Sequence, residues 1–202
     1  MVPIKSRTHP LQGFSLLELL MVIVLIAFVL LLATGGYSAV VQSTALSTGA
    51  QMIEDTFSEA RQAAMTQNTT VEIRIYSLAP QAGSPPVYDA LQLHWLKPDG
   101  TTPPVGNLVT LPAAVVIDAT AAHSSIIAAN SQVATPDATD KCLNNQTRVF
   151  HFLPDGTTDL DPTVKWFLTL RPASQSDPAH FPSNWAAVQV DPTTGHGQIY
   201  RP

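Results

Sequence analysis

One carboxylate, Glu18, interrupts an otherwise unbroken apolar run, FSLLELLMVIVLIAFVLLLA, from Phe14 to Ala33. An acid held in hydrocarbon costs about 2.5–3.5 kcal/mol on insertion scales, so such a residue normally has a partner. The chemistry open to Glu18 is ion pairing with a cation in the same apolar layer. No Lys or Arg lies in the run. A free α-amine, made by cutting the chain just before Phe14, would supply the charge. The plainer alternative is an acid one turn in, tolerated at the membrane interface by snorkelling.

Other residues with chemical potential are more dispersed. Asp155, Asp159 and Asp161 form an oxygen-rich stretch that could hold a calcium ion. It lacks the Asp-x-Asp-x-Asp-Gly order and closing Glu of a calcium loop, so a Pro-Asp-Gly hairpin turn is the simpler reading. Beyond the leader, histidines stand at 94, 123, 151, 180 and 196, none at ligand spacing from another. His151, between Phe150 and Phe152, reads as a surface-facing strand residue. Cys142 is the only cysteine, which excludes an intramolecular disulfide and any C-x-x-C site. No G-x-S-x-G, H-E-x-x-H or P-loop pattern occurs, so no cofactor, metal site or catalytic residue is assigned and the chain is read as a non-enzyme. The sequons at Asn68 and Asn145 are given no role.

The element that positions Glu18 is a helix. Twenty residues rising about 1.5 Å each span about 30 Å, the hydrocarbon thickness of a bilayer. Lys5 and Arg7 precede the run, and the next basic residue is Arg61. That asymmetry keeps the N-terminus in the cytoplasm and sends the rest across. A Sec signal is the rival, with Ala33, Gly35 and Ser38 as small residues near a cleavage point. Its apolar stretch is shorter, however, and an acid near its start has no use. Gly35-Gly36 then marks either a kink or local melting of the helix, or simply a flexible exit.

From Tyr37 to about Gln67 helical periodicity resumes. Leu46, Ala50, Ile53, Phe57, Ala60 and Ala64 recur at steps of four and three, one apolar stripe suited to packing on a sheet. Beyond it, Val71, Ile73 and Ile75 alternate with Glu72, Arg74 and Tyr76 as in a half-buried strand. Leu91, Leu93 and Trp95 repeat the pattern before a Lys97-Pro98-Asp99-Gly100 turn. Further strands are expected at Leu108–Leu111, Ala114–Ile117, Arg148–Leu153, Val164–Leu170 (returning after the Pro154-Asp155-Gly156-Thr157 turn), Ala186–Val190 and Gln198–Tyr200. Residues 119–147 read as a long loop.

Gly13-Phe14-Ser15-Leu16-Leu17-Glu18-Leu19-Leu20, behind Lys5 and Arg7, resembles the leader junction of type IV prepilins and type II secretion pseudopilins. The resemblance implies cleavage after Gly13 by a prepilin peptidase/N-methyltransferase, methylation of the new N-terminal Phe14, and pairing of Glu18 with a neighbouring subunit's N-terminal amine. Arg61-x-x-Ala64-x-x-x-Asn68…Val71, Phe152-x-Pro154-Asp155-Gly156-Thr157 and the terminal Thr194-Gly195-x-Gly197-x-Ile199 are similar to the GspH/FimT group of minor pseudopilins. The Pro-rich loops more loosely resemble the prepilin-like Verru_Chthon cassette protein D group.

These readings combine into an α+β, pilin-like chain. Residues 1–13 are a cleaved leader, 14–34 the transmembrane part of the helix, 35–68 its outer half, and 69–202 a periplasmic β-rich domain. The expected role is structural: a minor pseudopilin or minor pilin in an inner-membrane-anchored filament, with other pilins as partners. Without Lys5 and Arg7, eight Lys/Arg face fifteen Asp/Glu, a net of −7. Such an acidic chain repels phosphate backbones, which opposes the alternative of a DNA-binding minor pilin. A secreted hydrolase with a Sec signal is the other alternative.

Overall fold

The computed structural model describes residues 15–78, 87–129, 142, 146–175 and 181–202, except the side chains of 32–39. Contacts divide the chain between Val41 and Gln42 into two compact units, which are described separately. A helix, α1, runs from Leu16 to Gln67. Its backbone is helical through Gly35 and Gly36, so the local melting anticipated there is not seen.

In the first unit the described residues are Ser15 and the early part of α1. Every large apolar side chain from Leu16 to Leu31 is 50–82% exposed, on all sides of the helix.

In the second unit the expected stripe is found. Leu46, Ala50, Ile53, Phe57, Ala60 and Ala64 are fully buried. They share one hydrophobic core with both of two four-stranded antiparallel sheets, making the fold α+β. The first sheet has the order β3-β2-β1-β5, built from β1 (Val71–Tyr76), β2 (Ala90–Trp95), β3 (Pro104–Thr110) and β5 (Arg148–Phe152). The second has the order β4-β6-β7-β8, built from β4 (Val115–Ile117), β6 (Trp166–Pro172), β7 (Ala186–Val190) and β8 (Gly197–Tyr200). The helix ends at Asn68, whose φ of 47° lies in the left-handed region tolerated best by Gly and Asn. Thr69 N donates to Ala64 O at 3.1 Å there, closing the last turn.

Three expectations are corrected. First, β6 does not return alongside β5. Phe150 and Phe152 pair with Ile73 and Val71 of β1, placing their rings around Phe57 of α1, with centroids 5.4 and 6.3 Å away. The far edge of β5 is closed by its own loop: Asp159 N donates to His151 O at 3.2 Å, and Thr158 bridges Phe152. The chain therefore crosses to the other sheet.

Second, residues 119–147 contain a short helix, α2 (Ser125–Ala129). Ser124 Oγ accepts the Thr169 N–H at 3.0 Å, and Ser125 Oγ accepts that of Phe167 at 2.9 Å. Two serines thus substitute for a strand along β6 where β4 has ended. Third, β1 is buried on both faces, not one.

Candidate functional site

The sequence-predicted assembly site is placed only in part. Lys5, Arg7, Gly13 and Phe14 lie outside the described residues. Ser15 precedes α1, and its carbonyl accepts the N–H groups of Glu18 and Leu19 at 3.0 and 3.1 Å. Ser is a favoured residue at that position, and an acid in the first turn complements the positive end of the helix dipole. Glu18 is exposed, and its carboxylate makes no hydrogen bond or ion pair with any described residue. Among the described residues no helix is long and apolar enough to cross a membrane. The described side chains of the apolar run end at Leu31, about 22 Å along the axis from Leu16.

The three stretches that carried the narrower resemblance meet at one joint. Arg61 Nε donates to Thr194 O at 2.8 Å. Gly156 and Gly195 both have positive φ, 85° and 66°. A Cβ on Gly195 would sit 2.2 Å from Gly156 O, and one on Gly156 would sit 2.9 Å from Met65 Sδ. Thr158 N donates to Pro192 O at 2.9 Å. Glycine is thus required at Gly195 by conformation and by space, and at Gly156 by its positive φ. The motif residues lock the end of α1 to the turns of both sheets; the joint is architectural.

A second polar cluster was not foreseen. Glu72 on β1 lies directly opposite His94 of β2 and His151 of β5. His151 Nδ1 is 2.6 Å from Asp159 Oδ2, and its Nε2 is 3.2 Å from Glu72 Oε2. Arg74 Nε donates to Glu72 Oε1 at 2.5 Å, and Arg74 Nη2 to Thr102 Oγ1 at 2.8 Å. His94 joins through Tyr76 Oη and Thr102 O, at 3.1 and 2.8 Å. Burial pushes His151 down, but the bonds and charges of Asp159 and Glu72 win and raise it to about 9. Burial pushes Glu72 up, yet His151 and Arg74 hold it below its ordinary value. Asp159 is lowered likewise, by His151 against burial. His151 is therefore a cation between two anions, not the solvent-facing residue its strand alternation suggested. Its neighbours are 79 and eight residues away, and only the second distance is local enough to read from a sequence.

The three aspartates do not share a site. Asp155 Oδ1 accepts the N–H and hydroxyl of Thr157, at 3.0 and 2.7 Å. Asp161 does the same with Thr163, at 2.8 and 2.7 Å. These bonds hold both carboxyls below the usual range. Asp159 belongs to His151. Asp99-x-Thr101, Asp118-x-Thr120 and Asp191-x-Thr193 repeat the same turn, the side-chain mimic of a backbone turn. Among the described residues no group of three or more His, Cys, Asp or Glu is placed to hold a metal ion. His123 packs on Phe181 with ring centroids 3.8 Å apart. His180 lies outside the described residues, and Cys142 is half-buried.

All five described arginines bond to other groups of the chain. Besides Arg61 and Arg74, Arg148 donates to the carbonyls of Ile127, Gln146 and Thr147. Arg171 donates to Asp118 at 2.8 Å, and Arg201 bonds Ser43 O and Asn184 Oδ1 at 3.4 and 3.1 Å.

No protein-family model matches the chain, and no curated protein matches its sequence. Two solved structures of the minor pseudopilin EpsH from the type 2 secretion system of Vibrio cholerae are similar to it. One is 14% identical over 78% of this chain and 97% of the other, with a TM-score of 0.47. The second is 13% identical over 79% and 96%, also with a TM-score of 0.47.

Proposed function

We propose that this chain is a structural subunit, a minor pseudopilin or minor pilin, of a type II secretion or type IV pilus-like filament. The observation that carries the reading is the early part of α1. A helix apolar on every side is covered by other molecules, whereas one packed on its own domain is apolar on one stripe. Lipid covers it before assembly and neighbouring subunits afterwards. In this reading residues 14–34 anchor the chain in the inner membrane, with the leader in the cytoplasm and the β-rich domain in the periplasm. A prepilin peptidase cuts Gly13–Phe14 and methylates Phe14. Glu18 then pairs with the Phe14 amine of a neighbouring copy or a related pilin, setting the register. One amine and one acid per subunit make a heterologous contact, which builds an open filament where its rotation does not close.

A nucleic-acid role has no support in the charges, since the described guanidinium groups serve internal contacts and the chain is acidic. Intact-mass measurement of the mature chain tests the proposal. A start at N-methylated Phe14 is expected. A start after residue 33 would assign the run to a removed Sec signal and end the filament reading.

A further inference from the structure

We infer that β3 carries a guard against a second copy of this chain: Pro104 and a bulge at Gly106 and Asn107 prevent an edge-to-edge strand pairing that the rest of β3 would support. Among the described residues β3 pairs only with β2, at the end of the first sheet, and no residue of it is buried. Such an edge is a template for another strand unless something blunts it.

The ladder shows which backbone groups face outward. Trp95 N donates to Pro103 O at 2.9 Å, and Leu111 N to Asp89 O at 2.8 Å. With Leu93 opposite Val105 and Leu91 opposite Val109, the antiparallel alternation turns the backbone groups of Pro104, Leu108 and Thr110 away from β2. Pro104 has no N–H to offer there. Between Val105 and Val109, the residues Gly106, Asn107 and Leu108 stand against the single Gln92, where the register shifts. Gly106 makes that kink with a φ of 67°. The outward row is therefore broken between Pro104 and Leu108, and its first position lacks a donor.

Both interruptions fall on a strand that is otherwise self-complementary. With Gly106 and Asn107 taken out, position 104, Leu108 and Thr110 would follow one another at every second residue. In an antiparallel pair of two copies, Leu108 would meet Leu108, and position 104 would meet Thr110 twice. Val105, Leu108 and Val109 also favour strand structure.

The other edges are closed by different means. The β5 edge has its own loop, with Asp159 N bonded to His151 O. β4 has three residues, and Ile117 N donates across its free side to Tyr88 O at 2.9 Å. β8 has four and meets α1 at both ends: a Cβ on Gly197 would lie 3.1 Å from Glu54 Cγ, and Arg201 bonds Ser43 O. Copies of the domain can thus lie side by side without exchanging strands. The inference is independent of the filament reading, because none of these residues belongs to the apolar run.

The test compares the full chain in detergent micelles with a variant that combines Pro104→Val and deletion of Gly106 and Asn107. Sedimentation velocity should show concentration-dependent association of the variant beyond that of the unaltered chain. Amide exchange at Leu108 and Thr110 should slow roughly tenfold as it associates. Adding Leu108→Pro, which removes an outward N–H and no bond to β2, should reverse both effects. A folded variant that does not associate, or association that survives Leu108→Pro, would overturn the inference. The unaltered chain decides the matter should the deletion unfold it. Its Leu108 and Thr110 amides should exchange fast at every concentration, and protection that grows with concentration would make β3 a working interface instead of a guarded edge.

Discussion

The two ends of α1 obey opposite rules. From Leu46 to Ala64 the apolar residues occupy one stripe and are fully buried against the chain's own sheets. From Leu16 to Leu31 they occupy every side and are 50–82% exposed. The same helix therefore contains a segment whose environment is intramolecular and one whose environment must come from outside. The polar groups follow the contrast. Glu72 and His151, in the packed unit, find partners within the fold, whereas Glu18 has none among the described residues.

The largest expected effect breaks that contrast directly. Phe57→Ala removes a ring packed on Phe150 and Phe152 and should cost about 3–5 kcal/mol of domain stability. Leu25→Ala deletes as apolar a side chain from the uncovered segment and should change domain stability by less than about 0.5 kcal/mol. Denaturant unfolding of the full chain in micelles, followed by Trp fluorescence, measures both. Equal losses would mean that the early segment is part of the domain's own core.

The His151 lock comes next. Its folded pKa is raised from 6.5 to about 9, so its contribution is complete below pH 6.5 and disappears as pH rises through 9. The shift corresponds to at most about 3 kcal/mol, and solvent access reduces it to on the order of 2 kcal/mol near neutrality. Glu72 and Asp159 have lowered pKa values, so their share is present above the ordinary carboxylate range and is lost as acid protonates them. His151→Gln should flatten stability between pH 6.5 and 9. An unchanged slope would show that His151 is not charged in the fold.

Glu18→Ala is the smaller perturbation of the outward-facing segment. Cleavage should persist, while incorporation into filaments falls at least tenfold, equivalent to about 1.4 kcal/mol. Domain unfolding should not move. Normal incorporation, read by shearing and immunoblotting, would remove the pairing argument.

What was legible in the sequence follows from the range of the forces. The stripe through Leu46 and Phe57, the alternation in β1 and β2, and the Pro154-Asp155-Gly156-Thr157 turn are set by neighbours a few residues away. The Asp-x-Thr turns are equally local and explain why Asp155 and Asp161 do not converge. The allocation of β5 and β6 to different sheets depends on which strand covers Phe57, a choice made by contacts about a hundred residues distant. The burial of Glu72, Arg74 and Tyr76 is equally non-local. A sequence shows that Glu72 is polar, but not that His151, 79 residues later, will neutralise it. Glu18 was conspicuous for the opposite reason: an acid in a run with no other charge is visible without any fold.

The weakest expected effect probes the boundary between the two behaviours. Arg201 donates to Ser43 O at 3.4 Å, to Ser47 Oγ, and to Asn184 Oδ1 at 3.1 Å. It thereby ties the residues after β8 to the first turns of α1 in the packed unit. These bonds are solvent-exposed, so Arg201→Ala should cost only about 1 kcal/mol. Its signature is spatial. Amide hydrogen exchange should accelerate near Ser47, where the clasp holds the turn, and remain unchanged at Phe57, where the core does. Faster exchange at Phe57 as well would show that the packed half of α1 opens as one unit, with the clasp contributing to all of it. Acceleration confined to Ser43–Ser47 would place the limit of intramolecular cover within that turn, and the helix before it would depend on neighbours for protection.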